Sequence, residues 1–264
     1  MIPRRWFEIP SRYQKLAITT SSSLFVLAVA VSSSGFAQTS GTAGESGVVI
    51  DPAFGGKDHG PIIEQHYFSK TFTLEMGRSI NEEIRKTGVT AKLTRSDDVS
   101  FPYDEILLRT GGIGIRPRAY VVVSVGGTPA NCLHILHPER RGKTSAANKA
   151  ELGDVIRAVT EDQYWTDGTN LAEAIRTQLK TQSPKTCVRV ISRGSYAASE
   201  SVNLLPSLFI APVVIIEFGK ELAKTLKTNS SDKDRGSISS GVAMGVVNYL
   251  RASEQESTRK PKTK

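Results

Sequence analysis

Ala119-Tyr120-Val121-Val122-Val123-Ser124-Val125 is an unbroken, uncharged run dominated by valine. Such a run fits a strand covered on both faces, the central position of a largely parallel sheet. Val213–Phe218 (VVIIEF) has the same character. Val48–Asp51 is a shorter apolar run stopped by an Asp-Pro step. Ala91–Thr94, Cys132–Leu136 and Val188–Ile191 are further short strands. Between them lie helical patterns. Phe68, Phe72, Met76, Ile80 and Ile84 recur every four residues up to Gly88, one apolar helix face with a glycine stop. Thr169–Gln182 is expected to be a helix capped by Thr169, with Leu171, Ile175 and Leu179 inward. Ala150–Glu161 is a separate candidate helix in a polar insert at 138–168, and Ile238–Ala252 is a closing helix. Strands alternating with helices predict an α/β fold: a single sheet, mostly parallel or mixed, with helices on both faces.

The composition agrees. The chain has 264 residues, 39% hydrophobic and 23% charged, which suits a globular domain able to fold without staples. Two cysteines, Cys132 and Cys187, allow at most one internal disulfide, and nothing in the sequence says they lie close enough to form it. No cysteine or histidine pair has C-x-x-C or H-x-x-x-H spacing, which excludes a ribbon-type metal site. The net charge is +8, but +3 of it lies in residues 1–37 and +3 in the tail from Arg251. The part that folds is near neutral. A nucleic-acid binder carries its charge on the folded face, so nucleic acid is not an expected partner.

The ends of the chain read differently from the middle. Residues 1–15 are basic, Leu16–Val31 is uncharged, and Ser32–Ala37 offers small residues for a cut after Ala37. That order is a secretory signal peptide over residues 1–37. The apolar run is short for a membrane span and interrupted by Thr19, Thr20 and serines, so membrane attachment is expected only if the signal stays uncleaved. Residues 38–47 read as a Ser/Thr/Gly-rich linker, 48–252 as the folded domain, and 253–264 as a basic disordered tail. The domain is therefore expected outside the cytoplasm, in the periplasm or cell envelope, where the two cysteines could be oxidised.

Five segments, taken in order, resemble one known family, the zinc-dependent N-acetylmuramoyl-L-alanine amidases of cell-wall peptidoglycan. Val48–Asp58 (VVIDPAFGGKD) is similar to the family opening VVIDPGHGGKD. Leu93–Asp98 (LTRSDD) is similar to its LTRxxD strand end, and Val121–Thr128 (VVVSVGGT) stands in the place of its FVSIHAN strand. Leu171–Leu179 resembles its LAEAIQ helix, and Pro212–Gly219 (PVVIIEFG) its PAVLVELG strand. The resemblance runs through about 200 residues, from Val48 to Leu250. It implies the fold predicted above and the hydrolysis of the muramoyl-L-alanine amide.

That chemistry needs a metal. A single-zinc hydrolase holds the ion with three protein ligands and leaves a position for a water whose pKa falls to about 7. The resemblance places the ligands at Phe54, Ser69 and Gly126 of this chain. Phenylalanine and glycine side chains have no lone pair to donate, and serine is a poor zinc ligand. It also places the catalytic carboxylate at Glu217, which is retained. A glutamate ending a buried strand can equally be tied to a backbone amide or an arginine. Arg109 lies where the family has an arginine in a short helix, and Arg95 with Asp98 reads as a structural strand-end pair.

A displaced metal site would have to use other donors. Asp58, His59, Glu64 and His66 crowd one loop, while His134 and His137 lie three apart on a strand and so point to opposite faces. Two readings follow. One is an exported amidase-like domain that binds or acts on peptidoglycan without a zinc site, catalytically degenerate and with no cofactor. The other is an active amidase with a relocated metal. Peptidoglycan is the expected partner of either, with an envelope protein as a further candidate.

Overall fold

The computed structural model describes residues 45–99, 115–126, 130–138, 152–193, 211–227 and 232–259, with only the backbone path given for 152–166. In chain order these form β1 (Glu45–Pro52), β2 (Ile62–Glu64), β3 (Tyr67–Phe68), α1 (Ser69–Lys86), β4 (Ala91–Leu93), β5 (Ile115–Val125), β6 (Cys132–Pro138), α2 (Leu152–Gln182), β7 (Cys187–Arg193), β8 (Val213–Phe218), α3 (Lys220–Lys227) and α4 (Asp232–Arg259). Six strands make one sheet in the order β4-β1-β5-β8-β6-β7, and β2 with β3 form a small antiparallel hairpin beside it.

The sheet is mostly parallel, as the valine-rich runs predict. β4, β1, β5 and β8 run one way, while β6 meets β8 antiparallel and carries β7 parallel to itself. Every residue of β8 is buried. Alternation along the strands separates two apolar clusters. Val48, Ile50, Val121, Val123, Leu133, Ile135, Val214, Ile216 and Phe218 face one way and meet the helices there. The four-residue spacing on α1 delivers Phe72, Met76, Ile80 and Ile84 to this cluster, α2 delivers Leu171, Ile175 and Leu179, and α4 delivers Ile238, Val242 and Val246. Phe72 meets Phe218 edge-on, with centroids 5.0 Å apart. The opposite face holds a smaller cluster of Val49, Ile115, Tyr120, Val122, Leu136, Val213 and Ile215. Among the described residues, all four helices contribute to the first cluster.

Several element boundaries differ from the sequence reading. Phe68 is not on the helix face; it ends the hairpin with extended backbone at the N-cap of α1. The candidate helix at 150–161 and the helix at 169–182 are one continuous helix of 31 residues. Thr169 therefore caps nothing: it lies inside α2, its hydroxyl 3.3 Å from His137 Nδ1. The linker at 38–47 is too long by at least three residues, since β1 begins at Glu45 and pairs with Ile115. The tail taken as disordered from 253 is helical to Arg259. There, the Arg118 side chain reaches both the Leu250 carbonyl at 3.2 Å and Glu254 at 2.5 Å, tying the last turns to the start of β5. The hairpin and α3 were not expected at all. No helix among the described residues is long and apolar enough to cross a membrane. The signal segment at 1–37 and the Arg109 position lie outside the described residues.

Cys132 and Cys187 are Cα partners on β6 and β7 and form a disulfide. Their proximity follows from strand pairing across 55 residues of sequence, which no spacing rule reveals.

Candidate functional site at the carboxyl edge of the sheet

β1, β5 and β8 end side by side: Pro52 is paired with Val123, Ser124 with Glu217, and Val125 with Phe218. In open α/β sheets the carboxyl ends of the strands are where ligands bind. Phe54 follows the end of β1 and Gly126 that of β5, Glu217 lies near the end of β8, and Ser69 opens α1.

The loop after β1 is a tight, heavily anchored turn. Phe54, Gly55 and Gly56 have φ of 66, 148 and 54°, all in the region that L side chains avoid. Gly55 and Asp58 exchange backbone hydrogen bonds of 2.8 and 2.9 Å across it. Arg95, buried, donates to the carbonyls of Pro52 at 2.9 Å, Ala53 at 3.2 Å and Lys70 at 2.9 Å. Lys70 Nζ donates to the Gly56 carbonyl at 2.8 Å and meets Asp98 at 2.6 Å, and Asp98 also accepts from the Gly56 amide at 2.7 Å. Arg95 and Asp98 are thus structural, as expected, but not as a pair closed on each other. Each clamps the loop to the start of α1. The Lys70 hydrogen bond holds the Asp98 carboxyl below its usual value, while burial lowers that of the Arg95 guanidinium.

Within this frame the Phe54 ring lies over the α-carbon of Gly60. A Cβ at position 60 would come within 2.6 Å of ring carbons, so the ring and the glycine fit together as a pair. Ser69 is fully buried at the first turn of α1. Its hydroxyl donates to the Pro61 carbonyl, which also accepts the Ser69 amide at 3.1 Å. The hydroxyl is a peg between loop and helix. Gly126 continues β5 by donating its amide to the Phe218 carbonyl at 2.9 Å.

Glu217 is 8% exposed and points to the face opposite the large helix-covered cluster, between Ser124 and His134 in register. The sequence left it to a backbone amide or an arginine. Its neighbour is instead His134, whose Nδ1 lies 3.5 Å from Oε1. This partnership was missed because it depends on β6 running antiparallel to β8, which the sequence does not state. On the other side, the Glu217 side chain folds over Gly126: a Cβ there would sit 2.9 Å from Oε1 and 3.0 Å from Cδ. Arg189, exposed on β7 and paired with His134, extends the polar row Ser124, Glu217, His134, Arg189 across four strands.

The three positions that the resemblance gives to zinc ligands do not fit that ion. Phe54 offers a hydrocarbon ring, the Ser69 hydroxyl is spent on a carbonyl, and the space at Gly126 holds a carboxylate rather than an imidazole. The other histidines are dispersed. His59 packs on the Phe68 ring at 4.7 Å, His66 occupies the hairpin turn with φ of 62°, and His137 faces α2 through Thr169, away from His134. Among the described residues no three His, Cys, Asp or Glu side chains are grouped to hold a metal.

Comparison with known proteins bears on this geometry. A family model described as N-acetylmuramoyl-L-alanine amidase matches residues 48–248. The chain is 24% identical over 233 residues to N-acetylmuramoyl-L-alanine amidase AmiA of Escherichia coli (strain K12), covering 78% of this chain and 77% of that protein. Among solved structures, it is similar to N-acetylmuramoyl-L-alanine amidase AmiC2 of Nostoc punctiforme, with a TM-score of 0.53, 19% identity and coverage of 79% and 99% of the two chains. It is also similar to an N-acetylmuramoyl-L-alanine amidase from Clostridium difficile 630, with a TM-score of 0.54, 16% identity and coverage of 79% and 98%. The CwlD amidase from Clostridioides difficile, solved in complex with the GerS lipoprotein, gives a TM-score of 0.52 at 18% identity, covering 79% and 100%. At these identities the solved structures speak for the fold alone. The family match spans most of the domain and includes the anchored loop, the strand ends and Glu217, and on that ground the chain belongs to the N-acetylmuramoyl-L-alanine amidase family.

Proposed function

We propose that this chain is an exported, amidase-like peptidoglycan-binding domain that has given up hydrolysis. The observation that carries the reading is the state of the three ligand positions. Phe54 has no donor, the Ser69 hydroxyl is committed to Pro61, and Gly126 has no side chain, while the scaffold around them is kept. Glu217 then has no metal-bound water to deprotonate and is a vestige of the catalytic carboxylate. The polar row from Ser124 to Arg189, at the edge where α/β sheets take ligands, is the surface a wall fragment would meet. Export rests on the basic, apolar and small-residue order of residues 1–37. The CwlD amidase was solved in complex with the GerS lipoprotein, which supports a protein partner for this chain as well.

The test uses the full chain produced in an envelope-bearing host and purified without a histidine tag. Zinc content, release of peptides from purified wall sacculi, and sedimentation with those sacculi are measured together. The expected result is no stoichiometric zinc and no release, with co-sedimentation that falls several-fold in Arg189→Ala. About one zinc per chain with peptide release, both lost on mutation of His59, His66 or His134, would establish an active enzyme with a displaced metal. Absence of both zinc and wall binding would remove the binding role.

A further inference from the structure

We propose that Gly126, Glu217 and His134 form one coupled unit, in which the Glu217 side chain occupies the volume any side chain at position 126 would need and His134 holds its carboxylate there. The three atoms nearest to a Cβ on Gly126 all belong to Glu217: Oε1 at 2.9 Å, Cδ at 3.0 Å and Cγ at 3.3 Å. The backbone at Gly126 is not left-handed, so an alanine there meets no torsional penalty. Its cost comes from Glu217. That side chain is nearly buried, paired in register with His134, and 3.5 Å from its imidazole, itself on a side chain only 13% exposed. A carboxylate displaced from Gly126 must therefore leave His134 or force the strand ends apart, because buried polar groups need their partners.

The consequence is steric and directional. Position 126 cannot be given a ligand-bearing side chain while Glu217 stays where it is. The absence of a side chain at 126 and the resting place of the carboxylate are two halves of one arrangement. This inference is independent of wall binding.

The test is a set of variants of the full chain: Gly126→Ala, Glu217→Ala, Glu217→Gln and the two double variants. Melting temperature and the imidazole ¹⁵N chemical shifts of His134 are read for each. Gly126→Ala is expected to lower the melting temperature by about 2–4 °C in the native and Glu217→Gln backgrounds, since glutamine keeps the volume, and by less than about 1 °C in Glu217→Ala. It is also expected to move the His134 resonances toward their positions in Glu217→Ala, although residue 126 lies two strands from His134. An equal loss of melting temperature in all three backgrounds, or His134 resonances unmoved by Gly126→Ala, would overturn the coupling.

Discussion

Asp51 shows how one side chain at the site edge answers to burial. It ends β1 next to Pro52, with its Oδ1 accepting the Thr94 hydroxyl at 2.5 Å. Burial pushes its carboxyl above the usual aspartate value of 3.8, against the opposing pull of hydrogen bonds from Thr94 and Tyr120 and of the Arg95 charge. A raised native pKa means the folded state holds the proton more tightly than the unfolded chain. The contribution is complete below 3.8 and is lost as pH rises through the raised native value. Asp98 has the opposite sign: its lowered pKa contributes stability above 3.8 that is lost only as pH falls below it. The two windows lie on opposite sides of 3.8, so they can be read apart. Asp51→Asn is expected to be more stable relative to the native chain at pH 7 than at pH 4. Parallel pH–stability curves for the two proteins, from melting temperatures between pH 4 and 7, would contradict the assignment. At this scale the sequence was informative about chemistry and silent about neighbours. The absence of a metal donor at Phe54 and Gly126 is visible in the letters, because no environment gives those side chains a lone pair. The commitment of Ser69 to Pro61 and of Glu217 to His134 is not, because both contacts join residues brought together only by the fold.

Among the elements, α2 and α4 pack with unusually little between them. A Cβ at Gly245 would lie 2.4 Å from the α-carbon and 2.8 Å from the amide nitrogen of Ile175, and one at Gly241 2.9 Å from Leu179. The first obstacle is backbone, so it cannot swing aside; the helices must separate. Gly245→Ala is expected to destabilise the protein by about 1–3 kcal/mol, the range for an overfilled core. Gly236, on the same helix but with open space where its Cβ would be, is the control. There alanine removes unfolded-state freedom and should stabilise by about 0.5–1 kcal/mol. Urea unfolding of the two variants decides it: shifts of the same sign would show that helix separation is not limiting at 245. The helix periodicities of α1 and α4 were legible, since their apolar residues recur every four positions. The continuity of α2 was not, because Gly168-Thr169 in its middle reads as the start of a new helix rather than a helix interior.

For the whole molecule, the disulfide joins two cysteines 55 apart in sequence, with all of α2 between them. Closing a loop of that length lowers the entropy of the unfolded chain by an amount worth about 4 kcal/mol in the simple chain model. The double variant Cys132→Ser/Cys187→Ser is expected to lose up to that much stability, seen as a lower denaturant midpoint that matches the native protein under reducing agent. An unchanged midpoint would show that strand pairing alone fixes the edge of the sheet. What the sequence determined by itself was the set of buried strands and the lack of a metal donor on the side chains of Phe54 and Gly126. Short runs rich in β-branched valine and isoleucine favour a strand covered on both faces, and a missing lone pair is a property of the residue type. What only the tertiary structure decided was who stands beside whom: Cys132 beside Cys187, His134 beside Glu217, Glu217 over Gly126. All three depend on the order and direction of β5, β8, β6 and β7. Strand order is set by packing across the whole sheet, and the pattern within any one strand does not encode it.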